Sequence, residues 1–240
     1  MTCVFIGTSG WSYNHWEGRF YPSGLPSKER FSFYASKFQT VEVNASFYRL
    51  PFEGMIKGWY KRSPVGFQFA LKAPRRITHL LKLVDCREFL KVFLERIKGL
   101  SEKLGVILYQ LPPSLKKDIP RLEAFIAQLP SGFRYAIEFR DNSWVDEATF
   151  NLLRKNGIAY CIVSAPKLIT HLESTTDFVY LRFHGISDWY RYDYSKDELA
   201  YFAESIKDFV KQELDVYCYF NNDFDAYAVK NAKELMELVG

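Results

Sequence analysis

The feature that most constrains this chain is its alternation of short apolar runs with longer amphipathic segments from end to end. Apolar runs that read as strands fall at 3–7, 40–43, 68–71, 105–109, 134–138, 158–163, 178–183 and 216–220. Between them the spacing predicts helices over 28–38, 51–61, 85–103, 119–129, 146–155, 195–212 and 225–238. The 85–103 segment shows why: Phe89, Leu90, Phe93, Leu94, Ile97 and Leu100 recur every three or four residues, on one helical face. Pro51 and Pro120 sit near helix starts, where a missing N–H costs nothing. Ser195 with Glu198 spells a capping box. Asn156-Gly157 stops a helix whose last turn carries Lys155. Only 166–172 is weak, with room for a single turn.

Eight strand–helix units joined by short links point to parallel strands, and their count and length match a TIM-like (β/α)8 barrel. An open doubly wound sheet would need a glycine-rich phosphate loop after its first strand, and Thr8-Ser9-Gly10-Trp11 is not one. No repeat, low-complexity tract or linker divides the 240 residues, so a single domain over 1–240 is expected. A chain this long buries roughly 70–75% of its unfolded surface and needs no disulfides. With 48% hydrophobic and 25% charged residues it is neither disordered nor collagen-like. None of the four cysteines forms a C-x-x-C pair; Cys3, Cys161 and Cys218 lie in or beside apolar runs and read as small core residues in a reducing compartment. No leader pattern is present and no apolar stretch nears the roughly 20 residues that span a bilayer, so a cytoplasmic protein without membrane attachment is expected.

In such a barrel the site lies at the C-terminal ends of the strands. Those ends carry Ser9 and Trp11, Glu42 and Asn44, Lys72 with His79 beyond, Gln110, Glu138 and Arg140, Arg182 and His184, then Asn221, Asn222 and Asp223. Polar groups in apolar strands are costly without partners, so their convergence marks a shared mouth. Glu42 and Glu138 facing across it would form a general acid/base pair; neutralised by arginines, they would be structural. Lys72 reads as a proton shuttle or Schiff-base amine if desolvated, and otherwise as an ion-pair partner or anion binder. His184 is the other catalytic candidate. Arg140 and Arg182 would hold negative charge, Asn44, Gln110 and Asn221 would orient hydroxyls or amides, and Trp11, Trp144 and Tyr190 would form apolar walls. No cofactor is expected; a divalent metal is the alternative, disfavoured because three cations at one mouth oppose a dication. Aromatics make up 18% of the chain; most Phe fall on helix faces and strands, whereas many Trp and Tyr fall just past strand ends.

The same strand ends carry a family resemblance. Gly7-Thr-Ser-Gly-Trp-Ser-Tyr13 with Trp16 and Phe20-Tyr-Pro22 resembles the opening motif of the DUF72, or YecE-like, family. Val41-Glu-Val-Asn44 with Phe47-Tyr48, Phe69-Ala-Leu-Lys72 with Thr78-His79, Gln110-Leu-Pro-Pro113 and Glu138-Phe-Arg140 with Ser143-Trp144 are similar to its later motifs. Tyr180-Leu-Arg-Phe-His-Gly185 and Phe220-Asn-Asn-Asp223 complete the set, in order along almost the whole chain. The resemblance implies a TIM-like barrel and no settled activity. The residues therefore predict an enzyme acting on a small polar or anionic ligand, of sugar, phosphosugar or nucleotide-like type. The alternatives are a nucleic-acid-binding or phosphodiester-cleaving protein, suggested by the net charge of +4 and by analogy with barrel endonucleases, and a non-catalytic ligand sensor.

Overall fold

The computed structural model describes residues 2–240. Eight parallel strands run β1 (Val4–Thr8), β2 (Thr40–Val43), β3 (Gln68–Lys72), β4 (Leu104–Gln110), β5 (Arg134–Glu138), β6 (Ala159–Ser164), β7 (Phe178–Phe183) and β8 (Asp215–Phe220). Their order is β1-β8-β7-β6-β5-β4-β3-β2, so from β2 to β8 each strand pairs with its neighbour in sequence and β1 pairs with β8. Helices α1 (Arg30–Ala35), α2 (Ala45–Tyr48), α3 (Glu53–Arg62), α4 (Arg87–Ile97), α5 (Ile119–Ile126), α6 (Glu147–Lys155), α7 (Lys196–Lys211) and α8 (Tyr227–Val239) pack outside. The α7 stripe Leu199, Phe202, Ala203, Ile206 and Phe209 is buried at helical spacing, and Ser195 caps the helix through the expected box with Glu198.

Strand alternation sorts the interior into two layers. Side chains on one parity, including Ala70, Leu108, Ala136, Cys161, Tyr180, Tyr217 and Tyr219, fill the barrel. Those on the other parity join the helix stripes in an outer core. The inward parity then decides which strand-end groups enter the mouth.

The ring closes between β1 and β2 by an unusual join. There the backbone contributes a single bridge, Ser9 opposite Glu42, with the Gly10 N–H donating to the Glu42 carbonyl at 2.8 Å. Below it the Tyr34 hydroxyl of α1 takes the place of a ladder rung. It accepts from the Thr8 amide (2.9 Å) and hydroxyl (3.0 Å) and donates to the Thr40 carbonyl (3.0 Å). Gly7 permits this approach, since a Cβ there would lie 2.5 Å from the Thr40 oxygen. Tyr34→Phe leaves buried backbone groups unpaired and is expected to cost about 1–3 kcal/mol in urea denaturation. A loss under about 0.5 kcal/mol would show that the hydroxyl does not hold the seam.

Several local expectations are corrected. The helix foreseen over 85–103 ends at Ile97, and 98–103 tightens into a 3-10 turn with Ser101 at φ 48°. There Gly99 packs so close to α3 that a Cβ would meet Ile56 at 2.9 Å. The ammonium of Lys103 caps the C-terminal end of α3 through the carbonyls of Tyr60 (2.9 Å) and Ser63 (2.7 Å). The last helix begins at Tyr227 rather than 225 because Asp225 and Ala226 are left-handed. No helix follows β6: residues 166–172 form an irregular loop, held by the Thr170 hydroxyl on the Val163 carbonyl at 3.0 Å. Cys3 is exposed and is not a core residue, whereas Cys161 and Cys218 are buried. Among the described residues, no helix is long and apolar enough to cross a membrane.

Candidate functional site

At the C-terminal mouth the inward parity gathers Ser9, Glu42, Lys72, Glu138, Arg140, Arg182 and His184. Their centre is Arg182 of β7, fully buried between two fully buried carboxylates. Its Nη2 donates to Glu42 Oε1 at 2.7 Å and its Nη1 donates to Glu138 Oε2. Glu42 also accepts from the Ser9 hydroxyl (2.6 Å) and, on its other oxygen, from the Tyr180 hydroxyl (2.7 Å). Glu138 accepts from Arg140 Nε as well. Burial opposes the charge on Glu138, but Arg140 and Arg182 outweigh it and hold the carboxyl well below the usual range. Neither glutamate presents a free oxygen to the mouth. Their oxygens are engaged with Arg182, Arg140, Ser9 and Tyr180.

The remaining groups sit around this core. Arg140 Nη2 donates to His184 Nε2 at 3.0 Å. On the other side of the ring, the Asn221 Nδ2 lies 3.1 Å from His184 Nδ1. Burial, then Arg140 and Arg182, keep His184 neutral, its pKa well below the ordinary value. The Trp189 indole lies over the Arg140 guanidinium, 4.7 Å from centroid to Cζ, and 5.5 Å from the His184 ring. Tyr190 is 42% exposed at the rim, with φ 66° and its ring 5.8 Å from that of His184.

Lys72 stands apart. Its ammonium lies 4.1 Å above the centre of the Phe47 ring and has no hydrogen-bond or ion-pair partner among the described residues. Burial, then Arg182, bring its pKa down to about 7 against the pull of Glu138 and Glu42. His79 packs edge-on against the same Phe47 ring at 4.9 Å, its Nδ1 tied to the Thr78 hydroxyl at 2.8 Å. Burial, then Lys72 and Arg140, lower His79 to about 4, so it is neutral at pH 7.

The other expected residues divide. Asn44 is partly buried, and its Oδ1 has no partner among the described residues. Gln110 lies on the inward parity with its Nε2 3.4 Å from the Leu111 carbonyl. Tyr48 is 74% exposed beside Phe47. Asn222, on the outward parity, turns to α8 and donates to Asn231 Oδ1 at 2.8 Å, away from the mouth. Asp223 accepts from the Trp16 indole through its carbonyl at 3.0 Å, and burial raises its carboxyl. Trp11 and Trp144 do not wall the mouth. Trp11 packs on Phe31 and Trp59, and Trp144 stacks on Phe139 with its indole bonded to the Leu115 carbonyl at 2.8 Å. Tyr180 was not foreseen; its signal is the i, i+2 parity it shares with Arg182 and His184. Among the described residues no three His, Cys, Asp or Glu side chains cluster as metal ligands. A cavity of about 680 Å³, lined by Gln68, Lys98, Arg134 and Tyr217 among others, opens at the opposite end of the barrel, the end that serves stability in this fold.

Fold and site together define a TIM-type barrel with a buried carboxylate–guanidinium cluster at its C-terminal mouth. Within that class the chain belongs to the family described as protein of unknown function DUF72, which it matches over residues 5–240. It is 28% identical to the UPF0759 protein YunF of Bacillus subtilis, across 98% of this chain and 94% of that protein. It is 31% identical to the UPF0759 protein YecE of Escherichia coli K12 over 57% of this chain and 48% of that protein. A DUF72 family protein from Thermotoga maritima superposes with a TM-score of 0.89 at 30% identity, covering 99% of each chain. One from Enterococcus faecalis reaches 0.85 at 22% identity, over 98% of this chain and 95% of that one.

Proposed function

We propose that the mouth binds a small anionic ligand, of the phosphosugar or carboxylate type, and that Lys72 is the group that moves its proton. The observation that carries this is the unpartnered ammonium of Lys72. Charge counting supports it: Glu42 and Glu138 balance Arg140 and Arg182, which leaves Lys72 as the cation without a counter-ion in contact. A ligand oxyanion supplies that counter-ion, with Arg140 and the neutral ring of His79 near it. Because Lys72 titrates near neutrality, it can both give and take a proton at pH 7. Glu42 and Glu138 serve as fixed counter-charges.

A thermal-shift series with inorganic phosphate, small carboxylates, phosphosugars and matched neutral sugars tests the reading. Saturable stabilisation by the anions alone is expected. Stabilisation by neutral sugars alone would overturn the proposal. Steep salt-dependent binding of DNA or RNA, without response to small anions, would favour the nucleic-acid alternative. Binding without turnover of any screened anion would favour the ligand sensor.

The pH dependence has a definite sign. Lys72 is protonated below about pH 7 and loses its charge above it. Anion affinity by calorimetry is therefore expected to be highest below pH 7 and to fall, by up to about tenfold per pH unit, as pH rises past that point. An affinity flat between about pH 6 and pH 9 would remove Lys72 from the contact.

A further inference from the structure

We propose that Lys72 is an imine-forming nucleophile toward small anionic aldehydes or ketones, the anionic group being held by the same mouth. This rests on the anion-binding reading and adds a covalent step to it. Four observations carry it. The amine has no acceptor in contact among the described residues, so no salt bridge holds it as an ammonium. It lies 4.1 Å from the centre of the Phe47 ring, whose face positions the nitrogen without offering it an acceptor oxygen or nitrogen. Its backbone is fixed, because β3 is paired on both sides and the Lys72 carbonyl accepts from the Ser46 hydroxyl at 2.7 Å. Arg182 and Arg140 are neighbouring cations, an arrangement that favours an uncharged lysine nucleophile.

Lys103 is the internal contrast. It is also buried, but its ammonium donates to the Tyr60 carbonyl, the Ser63 carbonyl and the Ser63 hydroxyl, at 2.7–2.9 Å. That lysine is held as a charged cap. The two differ in what surrounds the nitrogen rather than in burial alone.

The step balances without an oxidant or reductant. The neutral amine nitrogen adds to the carbonyl carbon and a C–N bond forms. Nitrogen gives up two protons, which leave with the carbonyl oxygen as water, and a C=N bond remains. His79, neutral at pH 7 and packed on the same Phe47 ring, is the neighbouring base for the proton relay.

The test uses the full chain with glyoxylate, and with propionaldehyde as its uncharged counterpart. Sodium borohydride then delivers hydride to any C=N carbon and leaves a stable secondary amine. Peptide mass mapping is expected to place the glyoxylate adduct on Lys72, at least about tenfold above any exposed lysine near pH 7, since an ordinary lysine is almost wholly protonated there. Excess phosphate is expected to protect it, propionaldehyde to label it less, and Lys72→Arg to abolish it. Mapping on the unaltered protein does not depend on how a variant folds. Labelling spread over surface lysines with Lys72 untouched overturns the imine proposal. If phosphate still stabilises the protein in the thermal-shift series, that outcome leaves anion binding standing; if phosphate also fails to stabilise it, both readings fall. Equal labelling by propionaldehyde without phosphate protection overturns the requirement for an anionic carbonyl.

Discussion

Replacing Arg182 by methionine is expected to lower stability near neutral pH by about 3–5 kcal/mol, read from denaturant midpoints. The guanidinium is fully buried and binds a fully buried carboxylate on each side. Its removal leaves Glu42 with only hydroxyl donors and Glu138 with Arg140 and the His184 ring, 3.7 Å away. A buried charge stripped of its partner costs far more than the pair contributes, so the remedy is to neutralise what remains. Glu42→Gln and Glu138→Gln added to Arg182→Met should therefore recover much of the loss. The pH dependence separates this from simple misfit. In the native protein Glu138 has a depressed pKa, so its contribution is present above the ordinary glutamate value and is lost as pH falls through the lowered one. In the variant protons can stand in for the missing guanidinium, and its deficit narrows toward about pH 4–5. A deficit below about 1 kcal/mol, or one independent of pH, would mean that Arg182 does not neutralise the two carboxylates.

Lys72→Met carries the second large effect, with opposite signs for stability and binding. The Lys72 pKa is lowered to about 7 in the folded chain, so between that value and the ordinary lysine range the folded state binds fewer protons than the unfolded one. Native stability accordingly rises with pH across that window, and below it the buried ammonium costs a few kcal/mol, on the order of 1.4 per pKa unit before solvent screening. Methionine removes that cost. It forfeits the contact with the Phe47 ring, worth about 1 kcal/mol. The variant should be the more stable protein at about pH 6, with an advantage that shrinks as pH rises, and should bind phosphate at least about tenfold more weakly. Lower stability at pH 6 together with unchanged phosphate affinity would refute both the strained ammonium and its place in the site.

The barrel was legible because parallel strands buried on both faces read as unbroken apolar runs. The runs at 40–43, 134–138 and 178–183 coincide with β2, β5 and β7. What escaped depends on contacts between distant segments. Nothing local in 85–103 announces that Lys103 will turn back to cap α3. At the mouth, proximity to a strand end proved too coarse a guide. Asn221 and Asn222 are adjacent, but β8 sends the first to His184 and the second to α8. Trp11 and Trp144 follow strand ends and join the outer core, while Tyr180, two residues below Arg182, reaches Glu42. The role of the glutamates was the least legible, since it depends on an arginine 140 residues from Glu42 and 44 from Glu138.

The join between β1 and β2 has a consequence for how the protein comes into being. Glu42 gathers Ser9 from the first strand and Tyr180 and Arg182 from the seventh, beside the single backbone bridge that shuts the ring. During synthesis, Glu42 and Glu138 emerge long before the arginine that neutralises them. A nascent chain halted short of β7 holds two carboxylates that it cannot bury charged. The carboxylate–guanidinium cluster is thus a late product of assembly, and its completion certifies that the ring has closed.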